Sequence, residues 1–593
     1  LSNASVTSLD EALQKLTPSF SSMTNGMGTT LSLNGLPDDY FIFLENGKRL
    51  YGDDTYARIN VAKIKRIEIL NGASSALYGT NAIGGVINII TDDVKNAINV
   101  SSDTRYASKG RFTQSVNIDV NTGKFGSYTS YRRQQAEGWQ LNPYEENSKT
   151  HELEETGKVA STGFYANTVN QKFTFDATDK LSFYARGGYY DNKTRRPYEA
   201  YDYNILHETF NYGIGAQYMI NKGNYITADC YADHFSSSYC FFKDNKTYNG
   251  KAGEEQVRKR TRNHNLSIKG IFKLGNRHKL SVGTEYIVDV LKSQTDNIAK
   301  EDAYTLALFA QDEIKLLRNL QALIGVRYIY HENFKNHATP NVALMYKPGK
   351  FNFRASYAAG FRTPTLSELY ATDIAKKNDR LTIGNLDLKP EKNNYFSLSA
   401  EYVHERFSVS VNAFYNNIRD MIDYNTIATG DKAMEQYGHK EVRQRDNIAE
   451  AKVHGINVSA NAYLGAGFNL SGGYTHLNTQ DVELEQPIDK SIKNAYNINA
   501  QWAHSWKIYR LNINLNGRFN SKRFSKSYGY APEYQLWDLN TRHSFNLKSV
   551  IIEPGCGMEN LFDYMDDRPY NSNYATLTPG RSFYISLSLK FKS

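Results

Sequence analysis

Residues 67–91 read IEILNGASSALYGTNAIGGVINIIT, and this stretch decides how the rest of the chain is interpreted. Alternating apolar residues at Ile67 and Ile69 predict a strand, and the pair Gly84-Gly85 opens a second strand at Val86. The small residues between the two strands predict tight turns, because glycine and asparagine accept backbone conformations that are closed to most residues. The stretch therefore predicts a compact, glycine-dense module near the start of the chain.

The surrounding residues 1–92 have the sequence pattern of a small α+β domain. Ser8 and Glu11 are spaced as a capping box, and leucines follow at helical spacing, so a short helix is predicted there. Short apolar segments then alternate with turns rich in glycine, asparagine and aspartate, which predicts several short strands.

The chain from residue 97 to residue 593 follows a different pattern. Segments of about ten residues alternate apolar and polar side chains, the length that a tilted strand needs to cross a bilayer. The segment SFYISLSLKF (582–591) shows this most clearly. Short turns such as HERF (404–407) alternate with long polar stretches such as 365–394 and 425–450. This arrangement predicts a transmembrane β-barrel with short connections on one rim and long ones on the other.

The composition agrees with half-buried strands. The 593 residues include 44 Tyr and 29 Phe, while only 40% are hydrophobic. No run of 18 apolar residues occurs, so helical membrane spans are not predicted. The net charge of +8 is diffuse, without the basic stripe and interleaved aromatic residues that nucleic-acid binding needs, so no nucleic-acid partner is expected.

Motifs for catalysis and cofactor binding are missing from the sequence. We find no HExxH, GxSxG, P-loop or CxxC pattern, so we predict no enzymatic activity, no resident cofactor and no metal site. A protease or lipase barrel of the outer membrane is an alternative of another class, but such a barrel would be smaller and unplugged. Cys230 and Cys240 are ten residues apart, and the sequence leaves open whether they form a disulfide or remain free thiols.

The quoted stretch resembles the signature of the plug domain of TonB-dependent outer-membrane receptors. The resemblance extends to LSLNGL (31–36) and FLENGKRL (43–50) upstream, and to GFRTPTLSELY (360–370) and GNLDLKPEKNNYFSLSAEY (384–402) downstream. It implies a 22-stranded antiparallel transmembrane β-barrel (97–593) that encloses an N-terminal α+β plug (1–92). The family's TonB box would then lie before residue 1, because the sequence begins inside the plug.

The same resemblance implies a function and a set of partners. It implies active import of a scarce, large nutrient across the outer membrane of a Gram-negative bacterium. TonB, with its ExbB–ExbD energy complex, would relay the proton-motive force. Outer-membrane lipid or lipopolysaccharide would surround the barrel, and a surface lipoprotein could capture the ligand. A passive pore or an adhesin is the alternative without active transport, and the intact plug argues against both.

Family analogy places the ligand at the plug apices, 21–30 and 50–59, and at the long outer loops. The plug candidates are Met23, Asn25, Met27, Tyr51, Asp53, Asp54 and Tyr56, and the loop candidates are Arg196, Tyr198, Tyr201, Tyr570 and Tyr574. Tyrosine suits such a surface because it gives wide contact at a small entropic cost. We also expect Arg49, Arg66 and Glu68 of the plug to form charge pairs with the barrel.

Three kinds of cargo compete. Haem receptors of the family use histidines, but residues 1–92 and the segment 364–385 contain none. Ferric siderophores suit basic and aromatic outer loops such as 192–204. Cobalamin needs no metal-ligating side chain, so the sequence favours cobalamin, with haem and ferric siderophores as alternatives.

Overall fold

The architecture is taken from a computed structural model. The structure describes residues 6–25, 28–72, 79, 82–91, 97–140, 142–147, 149–196, 201–375, 379–526, 529–569 and 577–592.

The N-terminal domain contains a helix and two small sheets. The helix spans Leu9–Leu16, and the Ser8 side chain caps it by accepting a hydrogen bond from the Glu11 backbone at 3.4 Å, which confirms the predicted helix start. Three strands form one sheet and four form the other: Phe20–Asn25, Gly28–Leu33 and Leu36–Pro37, and then Phe41–Glu45, Lys48–Arg49, Ile64–Asn71 and Gly85–Thr91. Short 3-10 helices span Asp38–Tyr40, Thr55–Arg58 and Val61–Lys63.

The stretch quoted above forms the centre of this domain. Strand Ile64–Asn71 runs antiparallel to Gly85–Thr91, which in turn pairs parallel with Phe41–Glu45. Glycine is needed at two points. A Cβ on Gly85 would lie 2.6 Å from the Leu70 carbonyl oxygen, and a Cβ on Gly72 would lie 2.3 Å from the ring of Tyr395 in the barrel. The glycine-dense module is therefore built for close contact with a surrounding wall.

The remaining chain closes into a barrel of 22 antiparallel strands around this domain, as predicted. The barrel strands are Ile98–Ala107, Arg111–Asn121, Phe125–Ala136, Gly163–Asp176, Leu181–Arg195, Tyr203–Asn221, Asn224–Phe241, Glu255–Leu274, His278–Ser293, Ile298–Leu317, Leu320–His331, Lys335–Tyr346, Phe351–Arg362, Glu391–Val403, Phe407–Thr429, Glu441–Gly465, Phe468–Asp481, Asn494–Trp506, Tyr509–Asn520, Tyr534–Leu547, Val550–Glu559 and Ser582–Lys592. The last strand pairs with the first, from Lys592 opposite Asn99 to Tyr584 opposite Ala107.

The two rims differ as expected. Tight turns close one rim, and long connections cross the other, which is the outer rim of such barrels. The long connections add the helices Leu366–Tyr370 and Gly430–Tyr437 and the short strands Tyr144–Glu146, Leu153–Glu155, Thr372–Ala375, Arg380–Ile383, Arg523–Ser525 and Gly529–Ala531. The prediction of a loop over 425–450 was wrong in part, because strands Phe407–Thr429 and Glu441–Gly465 continue their pairing far above the bilayer.

The barrel wall alternates as a membrane-spanning strand should. On Glu255–Leu274, Leu266 and Ile268 are exposed on the outer face, whereas Asn263 is buried on the inner face. Among the described residues, no helix is long and apolar enough to span a membrane.

The cysteine pairing that the sequence left open is excluded by the strand arrangement. Cys230 and Cys240 lie on the same strand, Asn224–Phe241, opposite Ile214 and Asn204 of the neighbouring strand. Ten residues of extended strand separate them by roughly 33 Å, far beyond disulfide reach. Both thiols are free.

Candidate functional site

The plug packs tightly against only part of the barrel. Leu36, Tyr40 and Ile83 of the plug join an apolar cluster with barrel residues that include Tyr395 and Phe414. On this side the interface resembles a domain core, so separating plug from wall would expose apolar surface to water.

Two buried barrel arginines hold the plug by its backbone. Arg518 donates to the carbonyl oxygens of Phe20 at 2.7 Å and of Gln14, with longer contacts to Thr17 and Pro18. Arg132 donates to the carbonyl oxygens of Ile59, at 2.7 Å, and Ala57. These charge-assisted hydrogen bonds tie the backbone of the plug to the barrel wall.

Ion pairs add to this anchoring. Lys15 pairs with Asp538 at 2.9 Å, Lys63 with Asp119 at 2.5 Å, and Arg58 with Asp233 at 3.0 Å. Asp233 also accepts a hydrogen bond from the Tyr51 backbone at 3.0 Å. The sequence analysis did not find these partners, because each lies on a barrel strand far from the plug in sequence.

A cavity of about 610 Å³ separates the plug from the remaining sector of the wall. Plug residues between 39 and 53 line one side. The wall side is formed by four neighbouring strands, Asn224–Phe241, Glu255–Leu274, His278–Ser293 and Ile298–Leu317, together with Leu320–His331. The cavity is therefore a slot along the plug rather than a bowl above it.

Charges inside the slot are largely balanced. Lys48 of the plug pairs with Asp229 of the wall, and Lys259 of the wall approaches Asp53 of the plug at 3.4 Å. Arg327, which is almost wholly buried, pairs with Glu285. Two of these pairs cross the slot from plug to wall, and the third joins two strands of the wall.

A network of hydrogen bonds around Arg362 and Glu391 forms the roof of the slot. Arg362 contacts Glu368 at 3.0 Å and the fully buried Glu391 at 2.5 Å. Glu391 also accepts hydrogen bonds from the Tyr40 hydroxyl at 3.3 Å and the Ile422 backbone at 2.8 Å. The two barrel motifs noted in the sequence, 360–370 and 384–402, therefore meet here and fix the roof to the plug.

Carboxylates crowd the plug apex. The Asp38 side chain touches water, but protein encloses it on most sides, and this burial together with the Asp39 charge raises the pKa of Asp38 to about 6. Burial also works to raise the pKa of Asp54. Hydrogen bonds from His207, at 2.7 Å, and Asn192 outweigh that effect and hold the pKa of Asp54 below its usual value.

Arginine and tyrosine side chains gather at the outer mouth of the barrel, above the slot. The Arg196 guanidinium lies 4.1 Å from the Tyr201 ring centre, and that of Arg258 lies 4.9 Å from the Tyr248 ring centre. Two further rings, Tyr203 and Tyr239, stack at 4.0 Å between the arginines. Within the described part of the chain, neither arginine has a carboxylate within ion-pair distance. We call these six residues the mouth cluster.

The predicted plug residues separate into three groups. Tyr51 and Asp53 line the slot, and Asp54 holds the apex loop to His207 of the wall. Tyr56 does not face a ligand: its ring packs on Phe43 in the plug core, because the 3-10 helix Thr55–Arg58 turns it inward. Met23 lies on a strand opposite Thr30 and is not among the residues that line the slot.

The loop candidates are only partly described. Arg196 and Tyr201 come together in the mouth cluster. Met27, Tyr198, Tyr570 and Tyr574 lie outside the described residues, as does the side chain of Asn25.

The predicted charge pairs between plug and barrel need correction. Arg66 and Glu68 pair with each other at 2.7 Å on an exposed face of the plug, and among the described residues neither forms an ion pair with the barrel. They stand two apart on one strand, so their side chains share a face. Arg49 does face the wall, where its charge acts on Asp289.

Two family models match the chain. Residues 111–553 match the model described as TonB dependent receptor-like, beta-barrel, and residues 1–86 match the TonB-dependent Receptor Plug Domain.

Several solved structures share the whole architecture at low sequence identity. A mutant of the ferric enterobactin receptor of Pseudomonas aeruginosa, in complex with enterobactin, is 16% identical, with 99% of this chain and 97% of that chain covered and a TM-score of 0.83. The siderophore receptor PirA from Acinetobacter baumannii is 17% identical, with coverages of 99% and 96% and a TM-score of 0.80. The FrpB iron transporter from Neisseria meningitidis is 15% identical, with coverages of 99% and 97% and a TM-score of 0.78.

Proposed function

The chain belongs to the TonB-dependent receptors, outer-membrane transporters that bind a substrate and TonB, and from that premise we propose that its cargo is a ferric siderophore. The mouth cluster carries this proposal. It offers two arginines without carboxylate partners in the described chain, beside four tyrosine rings. An anionic, aromatic iron chelate matches both features, through charge-assisted hydrogen bonds and through stacking on rings and guanidinium planes.

The volume of the slot also suits a cargo of the size of a siderophore. A volume of about 610 Å³ lies within the range of about 300–1,000 Å³ that holds compact organic ligands. Cobalamin, which joins a corrin ring to a nucleotide loop, is much bulkier than such ligands, whereas two of the similar structures named above are a ferric enterobactin receptor and a siderophore receptor. We therefore place the ferric siderophore ahead of cobalamin, which the sequence had favoured.

The slot also suggests a route for the cargo. Apolar packing and the arginine anchors hold the other side of the plug, while open space and a few ion pairs separate the plug from the slot wall. A chelate captured at the mouth would descend along the slot when TonB, driven by ExbB–ExbD, displaces the plug segment 41–49.

Haem is the second candidate, because one histidine favours it. His331 lines the slot beneath the roof, and its ring packs at a tilt against that of Phe334, with the ring centres 4.9 Å apart. This histidine is the last residue of strand Leu320–His331, whose sequence pattern does not indicate that it faces the slot. It supplies the imidazole that residues 1–92 lack.

Titration of purified receptor in detergent with four cargoes tests the proposal. A ferric triscatecholate, a ferric hydroxamate, haemin and cyanocobalamin would each be followed by calorimetry and absorbance. We expect tight binding of one ferric siderophore and, in R196A/R258A, an affinity loss of about a hundredfold or more, since each charged hydrogen bond contributes about 1.5–3 kcal/mol. The matched control is R406A, which removes an exposed arginine on the short-turn rim.

The other outcomes are equally informative. A Soret shift with haemin that disappears in H331A would replace the siderophore with haem. A binding heat with cyanocobalamin and with none of the other three cargoes would identify cobalamin as the cargo. An unchanged siderophore affinity in R196A/R258A would remove the mouth cluster from the binding site.

A further inference from the structure

Basic side chains meet on the outside of the barrel, on the sector that also forms the slot wall. Arg260 and Arg262 are both exposed on strand Glu255–Leu274, and Lys292 is exposed on the next strand. The strand register sets Arg260 directly opposite Lys292. We call these three residues the outer basic patch.

All three side chains point away from the lumen. Their neighbours Lys259, Thr261 and Asn263 line the slot, so the alternate residues Arg260 and Arg262 face outward. The exposed Leu266 and Ile268 continue the same outward face toward the bilayer.

The height of the patch corresponds to the lipid headgroups. Leu266 pairs with Tyr286, whose ring lies 5.9 Å from Tyr304 in a row of outward tyrosines. Such rows mark the membrane–water interface in β-barrels. Arg262 is four residues nearer the outer rim than Leu266, which is roughly 9 Å of height for a strand tilted by about 45°.

The charge of the patch is uncompensated in the part of the chain that the structure describes. Like charges directly opposite each other on neighbouring strands destabilise a sheet. The nearest outward carboxylates are engaged elsewhere: Glu208 accepts the Tyr189 hydroxyl at 2.8 Å, and Asp302 pairs with Lys300 at 3.1 Å. A bound anion would relieve this repulsion.

We infer that the outer basic patch binds the phosphate groups of an outer-leaflet lipid, with the acyl chains lying against Leu266 and Ile268. Guanidinium groups match phosphate oxygens in a bidentate geometry, and the neighbouring ammonium group adds a second donor. The site couples a charged upper part to an apolar lower part, which is the division within a phosphorylated lipid. The patch and the slot lie on opposite faces of the same wall, because Arg260 and Arg262 alternate with Lys259, Thr261 and Asn263.

Native mass spectrometry of the intact receptor with added lipid tests this inference. The probes are bisphosphoryl lipid A, its dephosphorylated form and inorganic phosphate. The test variant is R260Q/R262Q/K292Q, and the control is K347Q/K350Q/R406Q, which removes three exposed basic residues from the short-turn rim.

We expect the patch variant to lose about a hundredfold in affinity for the bisphosphoryl lipid, since each basic residue near an anionic lipid surface contributes about fivefold. The control should retain the wild-type affinity. Heat-dependent mobility on denaturing gels would verify that each variant forms a barrel.

Three results would overturn the inference. Equal lipid loss in both variants would show a general charge effect. Equal binding of the dephosphorylated lipid would show that the apolar belt alone retains it. Displacement of the lipid by inorganic phosphate at low concentration would show a free-phosphate site instead.

Discussion

Replacing Arg518 with alanine is expected to loosen the N-terminal part of the plug and leave the slot side in place. The guanidinium reaches four carbonyl oxygens within the segment 14–20, from a barrel strand on the far side from the slot. If the plug is anchored unevenly, losing this contact should release only the segment that Arg518 holds.

The size of the effect follows from the contacts. Two of the hydrogen bonds, to Gln14 and Phe20, are short, while those to Thr17 and Pro18 are 3.5 and 3.4 Å long and count for little. At about 1.5–3 kcal/mol for each charged hydrogen bond, the loss is about 3–6 kcal/mol. The opening equilibrium of the segment should then rise by about 10² to 10⁴.

Asp229→Asn is the matching substitution on the slot side of the plug, to be compared with R518A. It removes the charge that pairs with Lys48, in a pair whose side chains are 26% and 10% exposed. A pair of intermediate burial should contribute about 1–2 kcal/mol, between exposed and buried pairs. Segment 41–49 should therefore open about tenfold more often, and the N-terminal helix should be unaffected.

Hydrogen exchange followed by mass spectrometry separates the two responses. Peptides covering 9–20 and 41–49 would be compared in wild type, R518A and D229N in the same micelles. We expect faster exchange in the first peptide only for R518A and in the second only for D229N. If either change accelerates both peptides equally, the plug opens as one body, and the uneven anchoring has no bearing on transport.

Two further predictions follow from the slot and the plug apex. In a background without native cysteines, oxidation of G52C/F235C should block uptake but not binding, since the two Cβ positions lie 2.8 Å apart and a small shift allows a disulfide. Oxidised G35C/S491C, with a Cβ separation of 3.9 Å away from the slot, should leave uptake intact, and equal blockage by both would place the route elsewhere. Because the pKa of Asp38 is raised to about 6, its charge appears as pH rises through that value. Affinity for an anionic chelate should then fall about two- to twentyfold, as repulsion over about 10 Å costs about 0.4–1.7 kcal/mol. A pH series of titrations should show this fall in wild type and not in D38N; a fall of equal size in D38N would exclude Asp38 as its source.

The fold was predictable because its signals are local. Strand alternation, turn residues and the glycine signature of residues 67–91 are each contained within a few tens of residues. The helix start at Ser8 is local too, and it was predicted correctly for that reason. The pairing of Arg66 with Glu68 could also have been predicted from local sequence, since residues two apart on a strand share a face. The expectation of a barrel partner for these two residues did not take that rule into account.

The site was less predictable because it depends on contacts between distant segments. Lys48 meets Asp229 across 181 residues, and Arg518 meets Gln14 across 504. No local pattern tells which barrel residue will face which plug residue, since that depends on the rotation of the plug within the barrel. Tyr51 and Asp53 flank the turn at Gly52 and line the slot, so their role in binding stays a prediction. Tyr56 was expected at the same surface, but the 3-10 helix Thr55–Arg58 turns its ring into the plug core.

The distribution of charge divides the proposed transport into two steps. At the mouth, Arg196 and Arg258 have no carboxylate partner in the described chain, so an arriving anion gains their full attraction. In the slot, by contrast, Lys48 and Arg327 are already paired with Asp229 and Glu285. A passage must hold its cargo weakly enough to release it, and paired charges provide polar contacts without a deep energy minimum. The proposal therefore assigns selection to the mouth and passage to the slot, and it predicts that mutations at the mouth change affinity, whereas mutations in the slot change the rate of uptake.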